Sequence, residues 1–185
     1  MNITVPKPYL KVFCLSLLTL IVSCKKDMKT QPENVLLQEW NGPYGGVPAF
    51  DTMNVNDIQE AVETGMELNL SEIEAIANST EPASFENTIA AMERSGAELD
   101  RVFSYYGIMS ANMSSPEFRE IQGVLAPKLS EFSSKINQNK ALFERIKTVY
   151  EASLVTPLDA DQQRVVELTY NGFAMRGAEL GAEKK

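Results

Sequence analysis

The segment Asn54–Asn78, NVNDIQEAVETGMELNLSEIEAIAN, spaces its apolar residues in a way that no strand can use. Ile58, Val62, Met66, Asn69 or Leu70, Ile73 and Ala77 fall three and four apart. That period lines one face of an α-helix, whereas a half-buried strand hides every second residue. Asn54 or Asn56 can cap the first turn, and the run Asn78-Ser79-Thr80-Glu81-Pro82 ends the helix as a turn.

The same period continues downstream. Ser84 opens a second predicted helix, its hydroxyl placed to accept the Asn87 N–H, with Phe85, Ile89, Met92, Gly96, Leu99, Phe103 and Tyr106 on one seam. Gly96 on that seam reads as a point where a neighbouring backbone comes close. A third helix starts at Ser115 with Pro116 in the first position, where proline's missing N–H costs nothing. Its stripe is Phe118, Ile121, Leu125, Leu129, Phe132 and Ile136, and Pro127 inside it predicts a kink against the Gly123 carbonyl. Asn139 caps a fourth helix that turns Leu142, Phe143, Ile146, Val149 and Tyr150 inward. Asp159, with Gln162 three residues on, opens a fifth that buries Val165, Val166, Thr169, Phe173 and Leu180. The fifth reads as continuing through the final GAELGAEKK without a stop signal. The fold class is therefore all-α, an antiparallel bundle of about five helices joined by short links.

Upstream of Asn54 the chain changes character three times. Residues 1–23 carry Lys7 and Lys11 and then an uncharged run of 11 residues, Val12–Val22. A membrane-spanning helix needs roughly 20 apolar residues, so the run is too short to cross and reads as a secretion signal. It ends in Ile21-Val22-Ser23-Cys24, which resembles the bacterial lipoprotein box, with Cys24 as the lipid attachment residue. The expected mature protein sits on a membrane through several acyl chains without spanning it. Lys25 after the cysteine, in place of an aspartate, resembles outer-membrane rather than inner-membrane sorting. Residues 24–35 are polar, hold Pro32 and read as a flexible tether. Residues 36–53 form an extended arm with turns at Gly42-Pro43 and Gly45-Gly46, in which Trp40, Tyr44 and Phe50 staple the arm to the helices.

Charge and cysteine content exclude several functions. Removing the signal takes two of the 17 basic residues and none of the 25 acidic ones, so the mature part is strongly acidic and no nucleic-acid binder. It also removes Cys14, and with Cys24 acylated no disulfide can form. From Cys24 onward 162 residues remain, enough for one domain to bury about two-thirds of its unfolded surface.

Catalytic chemistry is not found in these residues. The chain contains no histidine. Glu60, Glu63, Glu67, Glu72 and Glu74 crowd one helix, but a di-iron bundle also needs Glu-x-x-His pairs, so they read as a solvated face. Asp51–Glu60 fails as a calcium loop, because Met53 occupies the third ligand position and Asn56 replaces the turn glycine. No serine, threonine or cysteine has an imidazole base to activate it. The glycines of residues 42–46 lack the Gly-Lys-Ser ending of a phosphate loop. No catalytic, cofactor-binding or metal-binding residue can be named in this chain.

The stretches LLQEWNGPYGGVPAFD (Leu36–Asp51), NVNDIQEAVETGMELNLSEIEAIAN, SFENTIAAMERSGAELDRVFSYY (Ser84–Tyr106), Ser114–Glu151 and Leu158–Leu180 together resemble the start of the M3 zinc metallopeptidases, in particular bacterial peptidyl-dipeptidases. That resemblance implies that residues 54–185 are the helical amino-terminal region of a larger, mostly helical peptidase. Such enzymes hold zinc with a His-Glu-x-x-His helix and a downstream glutamate, which this histidine-free chain cannot supply. The expectations are a missing carboxyl-terminal catalytic region, zinc only in the full-length enzyme, an oligopeptide substrate, and no activity from this chain alone. Its role would be to form a wall of the substrate channel. The alternative is a stand-alone, non-catalytic helical lipoprotein acting as a binding or scaffold module.

Overall fold

The computed structural model describes residues 34–43 and 46–178. Cys24, the signal, Tyr44 and Leu180 lie outside the described residues. The described part is all-helical, with one isolated antiparallel bridge, Asn41 to Val47, in place of a sheet.

Helix α1, Ile58–Ala77, is the axis of the fold. Ile58, Val62, Met66, Asn69, Ile73 and Ala77 are buried, which is the face its spacing dictates. Asn54 caps a short 3₁₀ turn, Val55–Asp57, by accepting the Asn56 N–H at 2.9 Å, and α1 follows directly.

The second predicted helix is broken in two. Ser84 and Asn87 form a reciprocal cap, at 3.2 and 2.9 Å, and the first turn, Phe85–Ile89, is wound as a π-helix before α2, Ala90–Arg94. The chain then turns at Ser95, and Gly96, at φ +82°, starts α3, Ala97–Asn112. A residue with a side chain is strained in that left-handed conformation, so Gly96 is a helix break and not a seam position within one helix. The break re-phases the apolar pattern. Val102 and Tyr105 become fully buried, while Phe103 and Tyr106, on the expected seam, are half-buried. Close backbone approach belongs instead to Gly65, where an added Cβ would stand 3.0 Å from the Leu99 Cα.

Helix α4, Pro116–Asn137, runs as one element through Pro127, and α5, Lys140–Val155, and α6, Ala160–Met175, complete the set. Ser115, Asn139 and Asp159 each cap as their sequence positions require, accepting the N–H three residues on at 2.9–3.2 Å. Helix α6 does have a stop, contrary to the sequence expectation. Gly177, at φ +82°, lets its own N–H reach the Ala174 carbonyl and that of Ala178 reach the Phe173 carbonyl, a Schellman closure.

Two apolar clusters share α1. Its first half packs with α3, α4 and the arm, and its second half with the Phe85–Ile89 turn, α5 and α6. Helix α3 returns antiparallel along α1, and α6 along α5. Helix α4 runs beside α1 in the same sense, since Lys128 meets Glu63 while Lys135 lies by Leu70 further on.

The arm is part of the first cluster. A 3₁₀ turn, Val35–Leu37, buries Leu36 completely, a contribution of about 2 kcal/mol. Asn34 caps that turn and donates its side-chain amide to the Asp57 carbonyl at 3.0 Å. Asn34 and Val35 thus belong to the folded body and not to a tether, because both are tied to it by packing or hydrogen bonds. Trp40 and Phe50 meet Tyr105 edge-on, with centroids 6.2 and 5.1 Å away, and the Ala49 N–H donates to the Tyr105 hydroxyl at 2.7 Å.

Candidate functional site

The carboxylates of α1 do not converge on a common point. Glu63 accepts from Lys128 on α4 and, at 2.8 Å, from the Gln59 amide. Those two hydrogen bonds, the lysine's first, hold its carboxyl below the ordinary glutamate range. Glu72 leaves the group and accepts the Gly96 N–H at 2.7 Å, where the free amides of the α3 start favour a negative charge. Glu60 is exposed to solvent, and Glu67 and Glu74 stand exposed along one side of α1. Among the described residues, no three or more His, Cys, Asp or Glu side chains come together as a metal site. With no histidine in the chain as well, the residues present do not fit a His-Glu-x-x-His zinc site. The Asp51–Glu60 stretch is spent on local structure: Asn54 caps, and Asp51 sits in a turn.

Glu67 and Glu74 border a groove between α1 and α4. One part, of about 170 Å³, is lined by Glu63, Met66, Glu67, Leu70, Lys128, Glu131, Phe132 and Lys135. The next, of about 390 Å³, shares Leu70 and Lys135 and adds Ile73, Glu74 and Asn139. Met66, Leu70, Ile73 and Phe132 give an apolar floor, and the rim is charged.

A polar centre inside the second cluster was not anticipated from sequence. Arg145 is only 8% exposed. Its guanidinium donates to the Ser79 and Glu81 carbonyls at 3.0 and 2.9 Å and to the Asn87 side-chain oxygen at 2.9 Å. It fastens the α1–α2 connection to α5, and its five-donor fork suits three acceptors arranged around it. The signal was present in the spacing: Leu142, Arg145, Val149 and Ser153 fall on the buried side of α5.

The groove, the clamp and the broken second helix belong to a domain of known type. The sequence matches the neurolysin/thimet oligopeptidase N-terminal domain model over residues 58–185. The chain belongs to this M3 peptidase family. It is 33% identical over 152 residues to the dipeptidyl carboxypeptidase of Salmonella typhimurium, which covers 82% of this chain and 22% of that protein. It is 32% identical over 138 residues to the dipeptidyl carboxypeptidase of Escherichia coli, 75% of this chain and 20% of the relative. Oligopeptidase A of Salmonella typhimurium is 24% identical over 139 residues, 75% of this chain and 20% of that protein. The chain spans about a fifth of the length of these relatives.

Proposed function

We propose that this chain is the amino-terminal wall of a substrate channel in a zinc-dependent peptidyl-dipeptidase, which releases carboxyl-terminal dipeptides from short peptides. The observation that carries the reading is the match to an N-terminal peptidase domain, with identity to dipeptidyl carboxypeptidases of 33% and 32% against 24% to an oligopeptidase A. Zinc, the water-activating glutamate and the oxyanion-stabilising groups belong to sequence outside this chain. Exposed apolar side chains on α5 and α6 support packing against further mass: Leu154 and Val155 at the end of α5 are 62% and 84% exposed, and Leu168 and Met175 on α6 are 54% and 82% exposed.

The lipoprotein-type start adds an anchor at Cys24, with the outer membrane as its site. Among the described residues no helix is long and apolar enough to cross a membrane.

The DNA read downstream of the Lys185 codon tests the wall reading. A frame that continues into a His-Glu-x-x-His helix, whose product releases dipeptides and stops doing so under a zinc chelator, is the expected result. A stop codon with no such motif nearby overturns it and leaves a stand-alone binding module. Labelled palmitate incorporated by the chain and lost in Cys24→Ser tests the anchor.

A further inference from the structure

We propose that the α1–α4 groove is a docking site for a basic amphipathic helix. Its floor is Leu70 of α1 and Phe132 of α4, both half-buried, with the core residues Met66 and Ile73, 7% and 4% exposed, contributing their edges. An amphipathic helix lays the apolar side chains of positions i, i+3, i+4 and i+7 into a groove of this kind. From Glu63 to Glu74 the groove follows α1 for about 16 Å, three helical turns of an occupant.

The rim states the occupant's charge. Both groove lysines are already engaged, Lys128 by Glu63 and Lys135 by Glu131 at 2.8 Å. Glu67 and Glu74 remain exposed, with no hydrogen-bond or ion-pair partner for their carboxylates among the described residues. They are seven residues apart, so they stand on one side of α1 about 10 Å apart along its axis. A helix with lysine or arginine at i and i+7 beside its apolar stripe meets both. A second copy is disfavoured, because the chain carries a net charge of −8 and would bring like-charged rims together. An anionic bilayer is disfavoured on the same ground. The site stands on the groove alone and does not depend on the peptidase reading.

Fluorescence anisotropy of a labelled peptide of about four turns, with leucines at i, i+3, i+4 and i+7 and lysines seven apart, titrated with the full chain at about 0.15 M salt, tests it. The Glu67→Lys/Glu74→Lys variant is expected to bind about tenfold more weakly, with unchanged circular dichroism because both residues are exposed. Glu93→Lys/Glu144→Lys makes the same charge change at exposed positions outside the groove and is expected to alter binding less than about twofold. Equal weakening in both double variants, equal binding of a peptide with glutamates replacing the lysines, or no binding by the unaltered chain overturns the proposal. Leu70→Ser, expected to weaken binding as well, separates floor from rim.

Discussion

The two apolar clusters strung along α1 close their polar edges in different proportions of ring contact and charge. The first ends at a chain segment that lies on its surface, the arm, and closes with edge-on rings around Tyr105, one amide donating to its hydroxyl, and Arg101, which pairs with Glu98 and donates to the Leu37 carbonyl at 3.2 Å. The second ends at a connection whose carbonyls, Ser79 and Glu81, point inward, and it closes with a buried cation, Arg145. Its rings stack nearly parallel, Tyr150 on Tyr170 at 4.2 Å and 2°, with Phe143 against Tyr170 and Phe173. The contrast teaches that the polarity of a core edge follows what the adjoining backbone leaves unsatisfied. An arm whose inward groups are spread apart is met one at a time, the Ala49 N–H by a hydroxyl and the Leu37 carbonyl by one guanidinium nitrogen, whereas a turn that aims two carbonyls and a side-chain amide at one point needs a fork of donors.

The comparison breaks most sharply at Arg145. Arg145→Ala leaves the Ser79 and Glu81 carbonyls without their donor, takes one of the donors from the Asn87 side-chain oxygen, and is expected to cost about 3 kcal/mol, read as a lowered urea midpoint. Amide exchange should rise in α5 and α6 before α3 if the clusters are as separate as their closures suggest. Gly65→Val comes next, at about 2 kcal/mol, because its side chain must enter the space held by Leu99 at the α1–α3 crossing. Thermal unfolding with circular dichroism measures it, and the exchange should now rise first in α3. Tyr105→Phe removes the acceptor of the Ala49 N–H and is expected to cost about 1 kcal/mol, with loosened exchange confined to the arm.

The smallest effect lies where α4 joins the first cluster. The Glu63 carboxyl has a lowered folded pKa, through its hydrogen bonds to Lys128 and Gln59. A group of that kind stabilises fully above its unfolded pKa, about 4.3, and loses the contribution as pH falls through the folded value. Glu63→Gln should therefore melt lower than the unaltered chain at pH 7, by about 0.5 kcal/mol, and the gap should close below about pH 4. An undiminished gap in acid assigns the effect to packing and not to charge.

The helices and their caps were legible in the sequence because both are local. Ser84, Ser115, Asn139 and Asp159 each satisfy a free amide only three residues away, and the α1 face follows from a period of 3.6. The break at Gly96 was not legible, since its spacing also suits a continuous helix. It is held by the Glu72 carboxylate on its N–H and by Ser95, whose hydroxyl accepts from Asn69 at 3.2 Å, both contacts across α1. Gly177 was missed for a different reason: a glycine ends a helix only when the following backbone closes on it, and that closure is a conformation and not a composition.

Of the candidate site, the sequence determined which residues could take part. It contains no imidazole, it places five glutamates on or near one helix, and it carries the pattern of an N-terminal M3 domain. Tertiary structure decided their fates. Glu63 went to a lysine 65 residues away, Glu72 to the start of α3, and Glu67 and Glu74 were left facing solvent along a groove. Periodicity and capping are set within a few residues of chain, so they can be read from it directly. Which carboxylate meets a cation, and which stays free, depends on the parallel run of α4 along α1, which only the packed chain establishes.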